Sequence, residues 1–197
     1  MVLLEYFQKG ITYQEYMDAF EHAVASKRTS GHIQTEELAH YTQLNLTRMR
    51  RIYKHTELLP SFIDALDSVQ QRVYIICLTE FWCGDAAQNL PVIELAAEKN
   101  KNITIKYLFR DENEELMGQY LTYGGKSIPK YILLDGAGNE IANWGPRPST
   151  VQREMENLKA TKATKEQMIE TIQKWYNADK TFSLQQEWMV LFSKLIA

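Results

Sequence analysis

Membrane-length apolar runs are missing from this chain of 197 residues. No stretch approaches the roughly 20 consecutive apolar residues that a spanning helix needs. A basic excess is missing too. Lys and Arg number 22 against 25 Asp and Glu, a net charge of −3, so the electrostatic footprint of a nucleic-acid binder is absent. The one basic cluster, Arg48, Arg50, Arg51 and Lys54, reads as a solvated helix face. Only two cysteines occur. The opening residues, 1–9, lack the charged lead, long apolar core and small-residue cleavage site of a signal peptide. Both points lead to the expectation of a reducing cytoplasm without a structural disulfide. The four histidines, His22, His32, His40 and His55, show no ligand spacing, so neither a metal nor another cofactor is expected. Repeats and low-complexity segments are also lacking.

What is present is an ordinary globular balance, 45% hydrophobic and 24% charged, on a chain long enough for a sizeable core. Three parts follow from the patterning. Residues 1–70 read as helical, with Thr12 and Glu15 as a capping box, a long helix from Glu36 to His55, and a restart at Pro60. Residues 71–150 alternate strand and helix as a parallel sheet requires. Strands are expected at 73–79, 103–109, 130–135 and 140–144, the last two joined as an antiparallel hairpin through Asp135-Gly136-Ala137-Gly138-Asn139. Helices are expected at 85–99 and from about Asn113 to Leu121. Residues 151–197 read as C-terminal helices packing on that core. Capping-box patterns occur at Ser149 with Gln152, Thr164 with Gln167, and Ser183 with Gln186. The last helix carries an apolar stripe of Leu184, Trp188, Leu191, Phe192 and Leu195. Such a stripe is expected to pack on the core, with a homodimer interface as the alternative.

The most informative segment is Trp82-Cys83-Gly84-Asp85-Ala86. The run before it, 73–78, is short, continuous and rich in β-branched and aromatic residues, as a strand buried on both faces would be. The run after it places Leu90, Val92, Ile93, Ala96 and Ala97 on what can be one side of an amphipathic helix. A cysteine at a helix start meets unpaired N–H groups and the positive end of the helix dipole. Both favour thiolate, and cysteine pKa values at such places commonly fall to about 3.5–7.5. Cys83 is therefore expected to be reactive, while Asp85 opposes the thiolate and reads as a capping aspartate.

Strand, Trp-Cys-Gly and helix resemble the active-site segment of the thioredoxin family. Pro91 matches the proline within that family's active-site helix. Ser127-Ile128-Pro129 matches its cis-proline loop, and Trp144-Gly145 its glycine turn on the third side of the groove. The resemblance spans residues 71–150. It implies an α/β, thioredoxin-like fold with a mixed sheet, a βαβαββα core, and added N- and C-terminal helices. By the same resemblance, Cys83 would be the attacking thiol, with Trp82, Gly84, Asp85, Ile128, Pro129 and Gly145 lining the substrate groove. Arg110 and Asp111 end the second parallel strand and read as a surface pair.

One departure outweighs these agreements. Where the family has a second cysteine, this chain has Ala86. The second thiol normally resolves the mixed disulfide, so release here needs an external thiol such as glutathione. By resemblance Cys77 takes the place of the family's buried acid, and it reads as a buried filler. A threonine three residues before the cysteine, as in peroxiredoxins, is not met, because Thr79 stands four before. The serine-ended motif of monothiol glutaredoxins is not met, and the tail is too short for the helical domain of a glutathione transferase. Two functions stay open. The first is a single-thiol protein exchanging with protein or low-molecular-weight disulfides in redox homeostasis. The second is a redox-inactive binding module of the same shape that holds a protein partner. The redox reading stands slightly ahead on sequence.

Six residues of strand and loop usually span more than the roughly 4.4–6.8 Å between Cα atoms that a disulfide allows. Oxidation of the intact chain should therefore give sulfenic acid or thiol adducts on Cys83. A monomer lighter by two hydrogens in mass spectrometry would instead make Cys77 its resolving partner.

Overall fold

The structure, a computed structural model, describes residues 2–194. Four helices come first: α1 (Leu3–Lys9), α2 (Tyr13–Ala25), α3 (Glu36–His55) and α4 (Pro60–Asp67). The central part runs β1 (Val73–Thr79), α5 (Gly84–Ala97), β2 (Ile103–Phe109), a 3-10 turn (Arg110–Glu112), α6 (Glu114–Gly118), β3 (Lys130–Leu134) and β4 (Glu140–Trp144). Helices α7 (Ser149–Ala160), α8 (Lys165–Asp179) and α9 (Phe182–Ser193) complete the described chain. No helix among the described residues is long and apolar enough to cross a membrane.

The sheet has the order β2-β1-β3-β4, with β1 parallel to β2 and antiparallel to β3, and β3 antiparallel to β4. The apolar run of β1 occupies an interior position and is buried along nearly its whole length. The edge strand β4 is largely exposed, with only Trp144 buried. The other edge, β2, is blunted by a bridge in which Ile11 and Tyr107 exchange backbone hydrogen bonds of 3.0 and 2.8 Å. Between β3 and β4, Asp135 Oδ1 accepts from the amides of Ala137 (2.8 Å) and Asn139 (2.9 Å), which closes the expected turn.

Helix α5 departs from the one-sided expectation. Its residues from Ala86 through Ile93 are all buried, because α3 and α4 pack over it while it packs on β2. An all-round apolar helix is what such a sandwich requires. Helix α6 is also shorter than the 113–121 expectation: it begins at Glu114, just after the 3-10 turn, and already ends at Gly118.

Two capping boxes form as expected. Thr12 with Glu15 starts α2, and Thr164 with Gln167 starts α8. The other two do not form. Pro148, not Ser149, is the N-cap of α7, and Thr181 that of α9. Ser183 lies inside α9, where its hydroxyl and amide bond to the Asp179 carboxylate.

The α9 stripe is consumed within the chain. Leu184, Trp188 and Phe192 are buried in the same cluster as β1, β3 and α5, and α9 packs along α4. The Trp188 ring meets Tyr131 edge-on at 4.9 Å and lies 5.8 Å from Trp144. Leu195 lies outside the described residues. Trp188→Ala should cost about 3–5 kcal/mol in urea denaturation, as expected for emptying an aromatic core position. Trp188→Phe should cost far less, because the buried indole N–H it removes has no hydrogen-bond partner among the described residues.

Candidate functional site

The loop between β1 and α5 is fixed before any thiol chemistry is considered. Phe81 stacks on Phe20 at 4.3 Å and meets Tyr16 at 5.1 Å. Its amide donates to Ser30 Oγ (2.8 Å), and its carbonyl accepts from Asn45 Nδ2 (3.0 Å). Helix α2, the turn at Ser30 and α3 thus hold the residue two positions before Cys83. Glu80, beside it, is fully buried. Its Oε1 accepts the Asp111 amide at 2.9 Å, and burial raises its carboxyl above the ordinary range.

Cys83 is the N-cap of α5. Its amide donates to Glu80 O (3.1 Å), and its Sγ accepts from the Ala86 amide (3.4 Å). The same Sγ donates to the Ile128 carbonyl at 3.2 Å. The Ile128–Pro129 peptide is cis, as the resemblance implied, and Gly145–Pro146 is a second cis bond that the sequence reading did not foresee. Gly145 has φ +117°, and a Cβ there would meet the Pro129 oxygen at 2.1 Å. Only glycine permits this close approach. The sequence-selected residues Cys83, Ile128, Pro129 and Gly145 therefore do meet, and Ala86 sits buried beside the thiol where the second cysteine would stand.

The expected low thiol pKa is overturned. Cys83 is only 7% exposed. Burial pushes its pKa up to about 12, the Asp85 charge adds to the rise, and the Ala86 N–H and Arg147 offset only part of it. Cys77 is fully buried, aligned with Tyr131 on β3 and Tyr107 on β2, and its thiol is also held neutral by burial. Both cysteines are free thiols.

Asp85 is more than a capping residue. Both its oxygens engage the Arg147 guanidinium, with Nε to Oδ1 at 3.0 Å, and Tyr176 donates its hydroxyl to Oδ1 at 2.8 Å. The pair is 12–13% exposed at its side chains. Burial works against the Arg147 charge, but the Asp85 carboxylate beside it holds it fully protonated. Arg147 also donates to Gln152 (3.1 Å), while Asn89 Nδ2 reaches the Pro146 carbonyl and Tyr176. Arg147 and Tyr176 escaped the sequence reading. Arg147 stands just past the Trp144-Gly145 turn, the one local signal for it; nothing near Tyr176 pointed to Asp85.

Trp82 is half-buried and carries the Arg110 guanidinium 4.9 Å from its ring centroid. Arg110 does pair with Asp111 (2.7 Å), yet both are mostly buried and border the groove, so the plain surface-pair reading is too weak. On the other side of Trp82, α3, α7 and α8 enclose a cavity of about 340 Å³ over the start of α5. Among the described residues no three His, Cys, Asp or Glu side chains gather as a metal would require.

These features can be set beside known proteins. The family model described as thioredoxin matches residues 31–165. The chain belongs to the thioredoxin family. A crystal structure of a protein of unknown function from Pseudomonas aeruginosa superposes with a TM-score of 0.67 at 16% identity, covering 100% of this chain and 99% of that one. An HIV epitope-scaffold gives a TM-score of 0.59 at 20% identity, over 77% of this chain and 81% of its own. Both likenesses speak for the thioredoxin fold alone. The first also extends over the flanking helices. No curated protein matches.

Arg147→Met removes the guanidinium from a mostly buried carboxylate, and allowing for its residual exposure the loss should be about 2–3 kcal/mol. Adding Asp85→Asn should return part of it in a double-mutant cycle of denaturation midpoints. Additive losses would mean the two side chains are not coupled.

Proposed function

We propose that this thioredoxin-fold protein is a binding module that does not turn over disulfides, and that it uses the surface around Trp82, Cys83 and Pro129 to hold a partner. The observation carrying this reading is the state of Cys83. A buried thiol that donates to the Ile128 carbonyl, with its pKa pushed up to about 12, is a poor nucleophile. Ala86 leaves any mixed disulfide without an internal exit. Ile128 and Pro129 are buried behind the thiol and give that surface a rigid backing, which Gly145 buttresses.

A second reading is favoured by one specific observation: the thiol stays against the cis-proline loop, the arrangement that the family resemblance associates with exchange. In that reading Cys83 loses its proton and attacks one sulfur of a protein or small-molecule disulfide. The other sulfur leaves as a thiolate. An external thiol such as glutathione then displaces Cys83 and restores it.

Alkylation of Cys83 followed against pH separates the two. The labelling is read in a Cys77→Ala background, where Cys83 is the one remaining thiol. Because the folded thiol titrates above the roughly 8.5 of a free cysteine, the binding reading expects slow labelling at pH 7 that still climbs past pH 9. Asp85→Asn should speed it, since that change removes an opposing charge and leaves Arg147 beside the sulfur. A plateau reached below pH 8.5, together with insulin reduction that rises in Ala86→Cys, would overturn the binding reading in favour of exchange.

A further inference from the structure

The cavity over the start of α5 has walls and a floor of opposite character. Leu38, Tyr41 and Leu44 line it from α3, Met155 from α7, and Ile169 and Ile172 from α8. Leu44 and Ile169 are each 41% exposed, unusual for large aliphatic side chains, and both turn toward this one hollow. Its volume of about 340 Å³ falls within the range of small-molecule sites, roughly 300–1,000 Å³.

The floor is formed by Arg48, Arg147 and Asp85. Asp85 is already committed to Arg147 and Tyr176. Lys165, at the rim, is paired with Glu37. Arg48 is left over. Its side chain donates to the neutral amide oxygen of Asn45 at 2.7 Å and forms no ion pair with any described carboxylate. It is half-buried, and its guanidinium lies next to Gly84, where a Cβ would come within 3.7 Å of it. Burial and the neighbouring Arg51 weaken its hold on its proton, and the nearby Asp85 charge offsets only part of that. A half-buried cation whose donor fork is only partly used, below an apolar chamber, matches a planar anion carrying an apolar body.

We infer that this cavity binds a small amphipathic carboxylate, its head on Arg48 and its apolar body between α3 and α8. The proposal rests on the binding reading and deepens it by naming a ligand class on the α3 side of that surface. A carboxylate fits the guanidinium fork bidentately, whereas a neutral head would leave Arg48 without its counter-charge. The occupant also extends the apolar contact that Leu44 and Ile169 leave open.

Calorimetric titration of the full chain with octanoate, octanol and octylammonium tests this directly. Octanoate should bind, octanol should bind at least about tenfold more weakly, and octylammonium should give no saturable heat. Arg48→Met should cut octanoate affinity by a similar factor. Leu44→Glu, at an exposed position that the fold does not need, should do the same and stands in if the arginine variant fails to fold. No binding of octanoate, equal binding of octanol, or wild-type affinity in Leu44→Glu would overturn the proposal. Alkylation of Cys83 is read independently. Slow labelling with no octanoate binding sinks only the ligand class, and fast labelling with insulin turnover sinks the parent reading.

Discussion

The start of α5 is packed about by several other elements, with Gly84 left exposed, and the rest of the molecule is organised around satisfying it. A helix N-terminus carries unpaired amides and about half a positive charge, which open solvent would normally absorb. Here β1 delivers it into the interior, α3 lies along it, and α8 reaches its first turn. The protein answers with groups of its own. Cys83 Sγ takes the Ala86 amide, Asp85 supplies the negative charge, and Arg147 with Tyr176 keeps that charge paired. Cys83 and Asp85 belong to α5 itself, Arg147 follows β4 and Tyr176 lies on α8, which ties a flanking helix to the central sheet through one polar cluster.

That enclosure decides the chemistry of the sulfur. The dipole of α5 favours a thiolate by at most about 2 kcal/mol, even in well-placed, partly buried geometry. Removing an ion from water costs several kcal/mol after relaxation. Asp85 adds repulsion only two residues away, and Arg147, which could oppose it, is already engaged by that same carboxylate. Burial therefore wins, and the proton stays on sulfur, where it is donated to the Ile128 carbonyl. The position that the family uses for attack serves here as a cap and a hydrogen-bond donor.

The parts of the site that were readable in the sequence are those written locally. Trp82-Cys83-Gly84 at a strand-to-helix junction, the proline after Ile128 and the glycine after Trp144 each mark a backbone feature that a few neighbouring residues specify. Strands β1 to β3 were readable for the same reason, as largely apolar runs between turn residues, and β4 followed from the turn at 135–139. What was not readable depends on partners far along the chain. Asp85 looks like a helix cap until Arg147, 62 positions on, and Tyr176, 91 positions on, are folded against it. The dipole argument for Cys83 considered the helix start alone, and nothing near residue 83 announces how deeply the thiol will be buried. Ser149 and Ser183 match the capping pattern, yet Pro148 and Thr181 take the cap positions. A short motif cannot say which of two neighbouring positions the chain will choose.

The flanking helices then have a physical rationale beyond stability. A thioredoxin core that exchanged disulfides would need its thiol approachable, and covering the active-site turn with three further helices works against that. The cover nevertheless stops short of closing completely. It leaves apolar side chains of α3 and α8 facing one another across an open chamber, and below them a guanidinium that no described carboxylate neutralises. Had the helices served only to bury the core, Leu44 and Ile169 would be expected to close on each other and Arg48 to turn to solvent, as Arg50 does with Glu21. An arrangement that keeps a charge desolvated and apolar surface exposed at the same place is costly for an empty protein. It becomes favourable when a ligand with a matching head and body completes it.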